Sequence, residues 1–542
     1  MQRLEKIPII DLFAGPGGLG EGFSSILDSN GNRVYDIKLS IEKDVNAHKT
    51  LELRSFYRKF KMGEVPKEYY NLLKTESNVE RAEKRQSLFK KYPIEAEKAF
   101  KEAWCAELGN SDFPSVVIDK RIKKALIGNP NWVLIGGPPC QAFSLVGRSR
   151  VGGIDEKDHR VYLYKEYLRI IAKHQPSIFV MENVKGLLSA KVNEQGVFHN
   201  MLNDLKNPSS VFKNSKSRKY KIYSLVQEPD GYIDGFPVYN NDRDFLIKAE
   251  DYGIPQRRHR VILLGVREDF NFVPSHLQNQ VKVSLKSVIG DLPKIRSGIG
   301  RKFVKSKMIN GKKKRFYRKV NDSSDNWFQL LKGFSKEAVF QTEFNLNGSF
   351  LPLDNAEIGS EFVKSNTPYK RNPLFNWYND VQLNGVPNHQ SRSHLLQDLR
   401  RYLFASLYTQ KYKTFPRLGD YKKFGKDLLP DHENVDSGKF TDRFRVQNSE
   451  LPATTVTSHI SKDGHYFIHY DANQCRSFTV REAARVQTFP DNYLFCGSRT
   501  SQFHQVGNAV PPFLAFQIAK IVNEVFESIK YVADQKLMTL EI

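Results

Sequence analysis

The chain has 542 residues, of which 40% are hydrophobic and 12% aromatic, and its formal net charge at pH 7 is +23. This composition excludes wholesale disorder, and the length allows two or three domains. No apolar run approaches the roughly 20 residues that cross a bilayer, and the N-terminus lacks the apolar core of a signal peptide. We therefore expect a soluble cytoplasmic protein with no membrane partner, and the charge favours a polyanionic partner, nucleic acid above all.

The cysteines and histidines do not indicate a metal site. The cysteines are far apart and form no C-x-x-C pair: Cys105, Cys140, Cys475 and Cys496. This spacing argues against a disulfide framework and against a thiolate zinc site. His465 and His469 are spaced like a metal pair on a helix, but their stretch alternates like a strand and has no glutamate between them. We predict no bound metal.

The N-terminal segment predicts a site for a nucleoside cofactor. Residues 7–13 are an apolar run, and the glycine-rich stretch after them predicts a turn followed by a helix. The spacing Gly15-x-Gly17-x-x-Gly20 matches the dinucleotide-binding fingerprint. Glu42 ends a second predicted strand, where its carboxylate can accept both ribose hydroxyls. On these residues alone NAD, FAD and S-adenosylmethionine remain equally compatible.

A charged insertion follows. Residues 54–114 are rich in Lys, Arg and Glu with apolar residues at helical spacing, which predicts two or three helices with a largely solvated surface. We expect the next strand of the sheet at residues 116–119, with Asp119 near its end. Further strands are predicted at residues 221–226 and 260–266.

The stretch around Cys140 is a candidate catalytic turn. Residues 132–135 predict a short buried strand, and Gly136-Gly137 and Pro138-Pro139 then stop it. Cys140 is thereby held at the C-terminal edge of the sheet, where open α/β folds keep their active sites. A structural cysteine in a tight loop is the alternative. Residues 145–160 are a plausible lid.

Other polar residues are expected near the same edge. Glu182 ends the next predicted strand, where a carboxylate is costly unless it is paired or functional. Gln256, Arg258 and Arg260 alternate along an extended segment, which suits an anion or a base edge, although a basic surface strand is the alternative. Residues 301–320 contain ten Lys or Arg, no acid and several aromatic residues, and they favour phosphate binding over a disordered basic tail.

The C-terminal region returns to regular elements. Residues 478–487 predict a helix with Thr479 as its N-cap. A tight turn follows at Gly507-Asn-Ala-Val-Pro-Pro512, and residues 513–526 predict a last amphipathic helix.

The order of these motifs resembles the cytosine-5 DNA methyltransferase family of the restriction-modification type. The matching segments, in the family's usual order, are Asp11-Leu-Phe-Ala-Gly-Pro-Gly-Gly18, Pro139-Cys140-Gln141, Glu182-Asn183-Val184, Gln256-x-Arg258-x-Arg260, Arg481-Glu-Ala-Ala-Arg485 and Gly507-Asn508. The resemblance covers about residues 1–53, 115–270 and 445–542.

The resemblance implies an α/β fold in which a Rossmann-like methyltransferase domain carries an inserted, separate target-recognition domain. The methyltransferase domain would have a mostly parallel sheet with helices on both faces. Residues 1–270 would form it, residues 271–445 would form the target-recognition domain, and residues 446–542 would return to the first domain.

The resemblance also implies the chemistry. Cys140 would add to carbon 6 of a flipped-out cytosine, Glu182 would act as the acid at ring nitrogen 3, and Arg258 and Arg260 would hold the base carbonyl and the thiol region. S-adenosylmethionine would be the cofactor, contacted by Phe13, Ala14, Gly15, Pro16, Gly18, Glu42, Lys43, Asp119, Pro139, Asn508 and Ala509. DNA would be contacted by Gln141, Ser144, Arg160, Gln256, Thr455 and Thr457.

The expected partner is double-stranded DNA, in a prokaryotic cytoplasm and at the nucleoid, with a monomeric enzyme and a cognate restriction endonuclease acting separately. A tRNA cytosine-5 methyltransferase shares the motifs but does not need the large basic region between them. An NAD- or FAD-dependent oxidoreductase explains only the glycine loop. A catalytically inactive DNA-binding regulator predicts erosion of Cys140, Glu182 and Arg258, and all three are present.

Overall fold

The computed structural model describes residues 6–139, 159–192, 195–212, 216–346, 350–365, 372–430 and 442–540. The described chain divides into two compact units. Unit 1 contains the described residues up to Pro66, then Leu88–Lys282, and those from Asn508 onward. Unit 2 contains Lys67–Ser87 and Val283–Gly507.

Unit 1 contains an eight-stranded sheet. Its strands are β1 Ile7–Leu12, β2 Tyr35–Glu42, β3 Ala103–Cys105, β4 Val133–Gly136, β5 Ile178–Val184, β6 Tyr220–Tyr223, β7 Leu246–Lys248 and β8 His259–Arg267. Their order is β7-β8-β5-β4-β1-β2-β3, and β6 pairs with β8. Strands β1 to β5 are parallel, whereas β8 runs antiparallel to β5 and to its other neighbours. The strand order reverses between β1 and β4, and such a reversal opens a ligand crevice at the strands' C-terminal ends.

The chain has both long and short helices. They are α1 Gly18–Ser24, α2 Val45–Arg58, α3 Lys67–Leu73, α4 Asn78–Lys91, α5 Pro93–Glu102, α6 Ser115–Leu126, α7 His159–His174, α8 Val197–Lys206, α9 Leu285–Ile289, α10 Ser324–Ser335, α11 Ala338–Phe344, α12 Phe375–Tyr378, α13 Leu396–Tyr412, α14 Leu418–Phe424, α15 Val480–Val486, α16 Arg499–Asn508 and α17 Pro512–Leu540. Short β-ribbons in unit 1 pair Lys191–Val192 with Gln195–Gly196 and Gly231–Ile233 with Phe236–Val238.

Helices cover both faces of the sheet. On one face, α1 and α17 pack together, and the Tyr35 hydroxyl donates a hydrogen bond to the Ala519 carbonyl at 3.0 Å. On the other face, α6, α7 and α8 bury Ile118, Leu168 and Phe198 against the strands. The predicted Rossmann-like α/β class, with a mostly parallel sheet and helices on both faces, is confirmed.

One predicted strand is wrong. Residues 116–119 lie in α6, and the strand that pairs with β2 is β3. Ile118 and Ile122 are buried one helical turn apart, while Val116 and Val117 are exposed. A four-residue apolar run does not distinguish a strand from the start of an amphipathic helix, and here the helical spacing decides.

The insertion is also less solvated than predicted. Helix α3 belongs to unit 2 and buries Tyr69, Tyr70 and Leu72. The Tyr70 hydroxyl donates a hydrogen bond to the Asp380 carboxylate at 2.8 Å, and the Arg81 guanidinium donates to Glu361 at 3.1 Å. These tyrosines and arginines carry both apolar surface and polar tips, so a charged composition does not prevent their burial.

Unit 2 is built from helices and short ribbons. Its strands are β9 Gly298–Ile299, β10 Arg301–Ile309, β11 Lys312–Lys319, β12 Gly359–Lys364, β13 Gly385–Gln390 and β14 Ser393–His394. They pair as β9 with β14, β10 with β11 and β12 with β13. A core cluster joins Trp327, Tyr402 and Phe404 to Ile468. Residues 446–507 therefore pack within unit 2, whereas we predicted their return to the first domain, and α17 lies in unit 1.

Helix α15 has the predicted N-cap. The Glu482 backbone N–H donates to the Thr479 hydroxyl at 3.1 Å, and the Thr479 N–H donates to the Glu482 carboxylate at 2.8 Å. Arg476 donates two hydrogen bonds to the same carboxylate, each of 2.6 Å. His465 lies in a short 3₁₀ helix and not in the strand we predicted, because the Gly464 backbone turns the chain at a φ of 76°.

The buried imidazole of His389 makes unit 2 sensitive to acid. Burial lowers the pKa of His389 to about 4. Its Nε2–H donates to the Pro293 carbonyl at 2.8 Å, and its Nδ1 accepts from the Thr479 hydroxyl at 3.0 Å. The unfolded chain binds a proton here below pH 6.5 and the folded chain does not, so stability falls as the pH falls towards 4.

We therefore expect this histidine to lower the free energy of unfolding by about 2 kcal/mol between pH 7 and pH 5. Urea unfolding of the wild type and of His389→Gln at both pH values measures the difference. The variant should lose less stability on acidification than the wild type. Equal losses would contradict the assignment of a neutral imidazole at this position.

Within the described parts of the chain, one helical segment is long and apolar enough to cross a membrane by length and composition alone, namely Arg499–Ser528. In the structure, 72% of its most apolar 18-residue stretch is buried. Core helices of soluble proteins reach the same apolarity, so this segment is weak support for a membrane span.

Candidate active site

The glycine loop after β1 borders open space. Phe13, Gly15 and Gly17 have φ angles of 55°, 56° and 96°, so the loop turns through three left-handed residues. A side chain added at Gly15 would meet no atom within 4 Å. The Gly15 N–H donates to the Glu42 carboxylate at 2.8 Å. The loop therefore presents bare backbone to a ligand.

Glu42 ends β2 with a fixed carboxylate. One oxygen accepts from the Gly15 N–H and the other accepts from the Asp44 N–H at 2.7 Å. Burial raises the pKa of Glu42, and the two backbone hydrogen bonds oppose that rise. Each carboxylate oxygen keeps a second lone pair, so the group can still accept hydroxyl hydrogen bonds.

The segment after α16 lies against the glycine loop within unit 1. A Cβ added at Gly18 would lie 2.2 Å from the Val510 carbonyl oxygen, so only glycine permits this approach. Ala509 is buried and Asn508 is exposed at the end of its helix. Two segments almost 500 residues apart in the sequence thus meet at the loop. Pro16 is buried, and Ala14 is partly exposed.

The structure does not bring Asp119 to this loop. Its carboxylate is bound by three side chains of α7: the cations Arg169 at 2.8 Å and Lys173 at 2.7 Å, and the imidazole of His174 at 2.9 Å. Burial alone would raise the pKa of Asp119, but these hydrogen bonds lower it to about 2. The prediction that Asp119 contacts the cofactor is therefore corrected, because its acceptor capacity is used within the α6–α7 contact.

The acid that follows β3 is Glu107, which sequence reasoning missed. It forms an ion pair with Lys43 at 2.9 Å, directly after Glu42. The signal that could have found it is the short apolar run Ala103–Cys105, which ends two residues earlier. The charged insertion around this run hid its place in the sheet.

Asp11 is a second group that we did not single out. It lies in β1 and is buried, and its carboxyl oxygens have no hydrogen-bond partner among the described residues. Burial raises the pKa of Asp11 well above its usual range, and the nearby Arg58 only partly opposes this. The buried carboxyl lies close to Gly20 of α1, since a Cβ added there would be 3.3 Å from one of its oxygens.

Strands β1 and β4 end side by side at one edge of the sheet, and β5 continues past them to Val184. Leu12 pairs with Gly136, and Gly136 pairs with Met181. The next residues along these strands are therefore Phe13, Gly137 and Glu182, side by side. A Cβ at Gly137 would lie 2.9 Å from the Glu182 carboxylate, so the turn that leads to Cys140 passes close to this acid.

Two arginines lie near Glu182: Arg260 in β8, and Arg258, which directly precedes that strand. The Arg260 Nε lies 2.8 Å from the Glu182 carboxylate. Arg258 is fully buried; burial lowers the pKa of its guanidinium, Arg260 adds to this effect and Glu182 opposes it. The predicted residues Glu182, Arg258 and Arg260 therefore form one charge cluster. An array of fixed donors around a carboxylate can stabilise charge that develops on a bound ring.

The remaining predicted site residues either have not been located at this edge of the sheet or lie outside the described residues. Gln256 is fully buried in unit 1, and Thr455 and Thr457 are half-buried in unit 2. Pro139 is half-buried at the end of the described turn. Cys140, Gln141, Ser144 and the side chain of Arg160 lie outside the described residues, as does most of the predicted lid.

Known proteins resemble most of this chain. The family model "C-5 cytosine-specific DNA methylase" matches residues 87–213 and 238–524. The type II methyltransferase M.Bpa9945I of Bacillus paralicheniformis is 32% identical, over 95% of this chain and 98% of its own length. The type II methyltransferase M.DdeI of Desulfomicrobium norvegicum is 27% identical, over 74% of this chain and 75% of its own length. The DNA (cytosine-5-)-methyltransferase M.ApeKI of Aeropyrum pernix is 26% identical, over 73% of this chain and 82% of its own length.

The family match covers both units, and the M.Bpa9945I match extends over nearly the whole of both chains. The resemblance found in the motifs is thereby confirmed. The chain belongs to the C-5 cytosine-specific DNA methylase family and is a DNA (cytosine-5)-methyltransferase.

Proposed function

We propose that this enzyme transfers a methyl group from S-adenosylmethionine to carbon 5 of a cytosine that is flipped out of a specific double-stranded DNA sequence. The observation that carries the proposal is that β1 and β4 end level with Glu182 of β5, so the glycine loop and the turn before Cys140 start beside the Glu182 cluster. The reaction requires a cofactor loop, a thiolate and an acid at one place. A stacked base is out of reach of all three, so the cytosine must leave the helix.

The glycine loop fits a nucleoside cofactor. Open space at Gly15 admits a ligand close to the backbone, and the Glu42 carboxylate can accept from ribose hydroxyls. We assign the cofactor contacts to Phe13, Ala14, Gly15, Pro16, Gly18, Glu42, Lys43, Pro139, Asn508 and Ala509, and we place Glu107 where Asp119 was predicted. S-adenosylmethionine supplies the electrophilic methyl group when it is bound.

The chain's own residues prepare the cytosine. The Cys140 thiolate adds to carbon 6, which makes carbon 5 electron-rich enough to take the methyl group. Glu182 hydrogen-bonds ring nitrogen 3 as charge develops on the ring, and Arg260 fixes the position of that carboxyl. Arg258 contributes positive charge from beneath the site. Loss of the carbon-5 proton and of the thiolate then restores the ring.

DNA contacts and biological role complete the proposal. We propose that unit 2 reads the target sequence, and that Gln141, Ser144, Arg160, Thr455 and Thr457 contact DNA. Gln256 would reach DNA only if it left its buried position. The relatives named as type II methyltransferases support a role in restriction-modification, with a cognate endonuclease acting separately. We propose a monomer that acts in the cytoplasm on chromosomal DNA.

Methyl transfer in vitro tests the proposal. Purified enzyme is incubated with S-adenosylmethionine carrying a labelled methyl group and with either plasmid DNA or bulk tRNA, and the nucleosides are then separated. We expect label in 5-methyldeoxycytidine from DNA and none in tRNA. Label in tRNA alone, or in another methylated deoxynucleoside, would contradict the proposed function.

A substitution at Gly18 tests the cofactor loop. The added methyl of Gly18→Ala would collide with the Val510 carbonyl, so either the loop or the C-terminal segment must move. Overpacking of this kind costs about 1–3 kcal/mol. We therefore expect S-adenosylmethionine to bind roughly tenfold or more weakly, as measured by calorimetry.

Gly196→Ala is the matched control, because a side chain at that glycine of unit 1 would meet no atom within 4 Å. It should bind the cofactor as the wild type does. Wild-type cofactor affinity in Gly18→Ala would show that this close approach does not shape the cofactor site.

A further inference from the structure

The ribbon β10–β11 is the most positively charged element of unit 2. It contains ten Lys or Arg residues and no acid. Asn310 and Gly311 form its two-residue turn with φ angles of 51° and 72°, a geometry typical of tight hairpins. Nearly all of its side chains are exposed.

The cross-strand register sorts the ten cations onto two faces. Directly opposed residues share a face, and a bulge between Phe303 and Lys305 keeps the alternation in step. Six cations fall on one face, which we call the lysine face: Lys302, Lys305, Lys307, Lys312, Lys314 and Arg318. Four fall on the opposite face, together with the Phe303–Tyr317 pair, whose ring centroids are 5.9 Å apart.

One end of the ribbon is fixed to the rest of unit 2. The Phe303 N–H donates to the Gln397 side chain at 3.1 Å, and the Gln397 amide donates back to the Phe303 carbonyl at 2.7 Å. Gln397 lies in α13, which contributes to the core of unit 2. The turn end beyond this clamp is exposed. The ribbon is thus an arm with an anchored base.

The lysine face is electrostatically unfavourable without an anion. Lys307 lies directly opposite Lys314, and Lys302 lies opposite Arg318. Like charges in these positions destabilise a strand pair, and an isolated two-stranded ribbon is already marginal in water. Among the described residues, no carboxylate forms an ion pair with any of the six cations of this face. A polyanion would supply the missing counter-charge.

The end of the arm carries two exposed apolar side chains next to its lysines. Met308 is 67% exposed and Ile309 is 41% exposed, on either side of the ribbon beside the turn. Exposed apolar side chains do not improve solubility, so a ribbon that served only to keep the protein soluble would not need them. Apolar groups flanked by cations suit a DNA groove, where thymine methyl groups lie between rows of phosphates.

The dimensions favour the major groove. Eight cross-strand pairs extend the ribbon over roughly 25 Å. The major groove is about 12 Å wide and admits a two-stranded ribbon, whereas the minor groove is about 6 Å wide. Long lysine side chains along the arm would reach the phosphates that border the groove.

We propose that the ribbon β10–β11 is a DNA-binding arm that enters the major groove of the duplex substrate. The lysine face holds the phosphates, and Met308 and Ile309 contact base edges. This inference rests on the proposed function, since duplex DNA is the substrate assigned there.

The salt dependence of DNA binding tests the phosphate contacts. The variant Lys305→Gln/Lys307→Gln/Lys314→Gln is compared with Lys120→Gln/Lys123→Gln/Lys124→Gln, which removes the same charge from exposed positions of α6. Dissociation constants for a 30-base-pair duplex are measured between 50 and 200 mM salt. The arm variant should lower the slope of log K against log salt by about 2 to 3, because each phosphate contact contributes about 0.9. The α6 control should keep the wild-type slope.

Dimethyl sulfate footprinting tests the groove. This reagent methylates guanine N7 in the major groove and adenine N3 in the minor groove. The duplex contains the sequence that the enzyme methylates. The wild type should protect guanines in this duplex from the reagent, and the same guanines should react when Met308→Ser/Ile309→Ser is bound instead. The reactivity of the adenines should be the same with both proteins. Both arm variants should keep the melting temperature and the S-adenosylmethionine affinity of the wild type.

The outcomes separate the arm from the enzyme's function. A wild-type slope in the lysine variant, or wild-type guanine protection in the tip variant, would overturn the arm proposal even if DNA is methylated normally. An equal loss of slope on single-stranded DNA would also overturn it, since phosphate binding would then need no groove. Failure of the wild type to methylate any DNA would instead overturn the proposed function, whatever the salt slope.

Discussion

Replacing Cys140 by alanine should lower methyl transfer to DNA by roughly 10⁴-fold or more, because the proposed mechanism requires its thiolate as the attacking group. Carbon 5 of cytosine is too electron-poor to take a methyl group until a nucleophile has added at carbon 6. The described turn passes close to Glu182 at Gly137 and ends at Pro139, and the proposed mechanism assigns the attack on the ring to the next residue in the sequence. Bisulfite sequencing of DNA from cells that express the wild type or Cys140→Ala measures the loss.

Two controls show whether the loss of activity is specific to the Cys140 thiol. Cys496→Ala removes a thiol of unit 2 whose sulfur accepts from Arg85 at 3.6 Å, and it should leave the methylation pattern unchanged. Calorimetry should show that Cys140→Ala still binds S-adenosylmethionine, since the glycine loop and Glu42 are intact. Protection of the same cytosines by Cys140→Ala would contradict the covalent mechanism.

The sheet could be predicted largely from the sequence because its strands are buried on both faces. Such strands appear as short continuous apolar runs, and the runs at residues 7–13 and 132–135 and the run before Glu182 correspond to β1, β4 and β5. Parallel strands place their C-terminal residues at one edge, so the neighbourhood of Phe13, Gly137 and Glu182 follows from chain order alone. This part of the candidate site needed no long-range information.

The parts that could not be predicted depend on partners far apart in the sequence. Asp119 is held by Arg169 and His174 of another helix, and nothing within four residues of it signals that contact. Helix α3 lies in the charged insertion, yet it packs in unit 2 and the partner of its Tyr70 hydroxyl, Asp380, lies 310 residues away. The pairing of Arg260 with Glu182 requires the antiparallel placement of β8, which the motif spacing does not specify.

The basic ribbon was predictable in principle and was missed. Asn310-Gly311 between two runs of β-branched, aromatic and basic residues is a strong hairpin signal. The density of lysine alone predicts phosphate binding, and the turn residues with the flanking strand formers predict the hairpin as well.

Glu182→Gln should lower kcat by roughly 10²- to 10⁴-fold with little change in KM for DNA, because the acid acts as charge develops on the ring. In the wild type, Arg260 lies 2.8 Å from the Glu182 carboxylate. Glutamine keeps the size of the side chain and one oxygen that can accept from Arg260, but it loses the negative charge. Arg258 then loses the charge of Glu182, which opposes the lowering of its pKa by burial and by Arg260. Single-turnover methylation of a duplex substrate measures the chemical step directly.

Glu166→Gln is the matched control, since Glu166 forms an ion pair with Arg169 at 3.1 Å elsewhere in unit 1. A partly exposed pair of this kind contributes about 0–1 kcal/mol to stability, so this variant should be fully active. Cofactor binding and the melting temperature show whether Glu182→Gln remains folded. If it does, a kcat within tenfold of the wild type would mean that Glu182 only holds Arg260 in place, and the acid would have to be sought elsewhere on the strand-end edge.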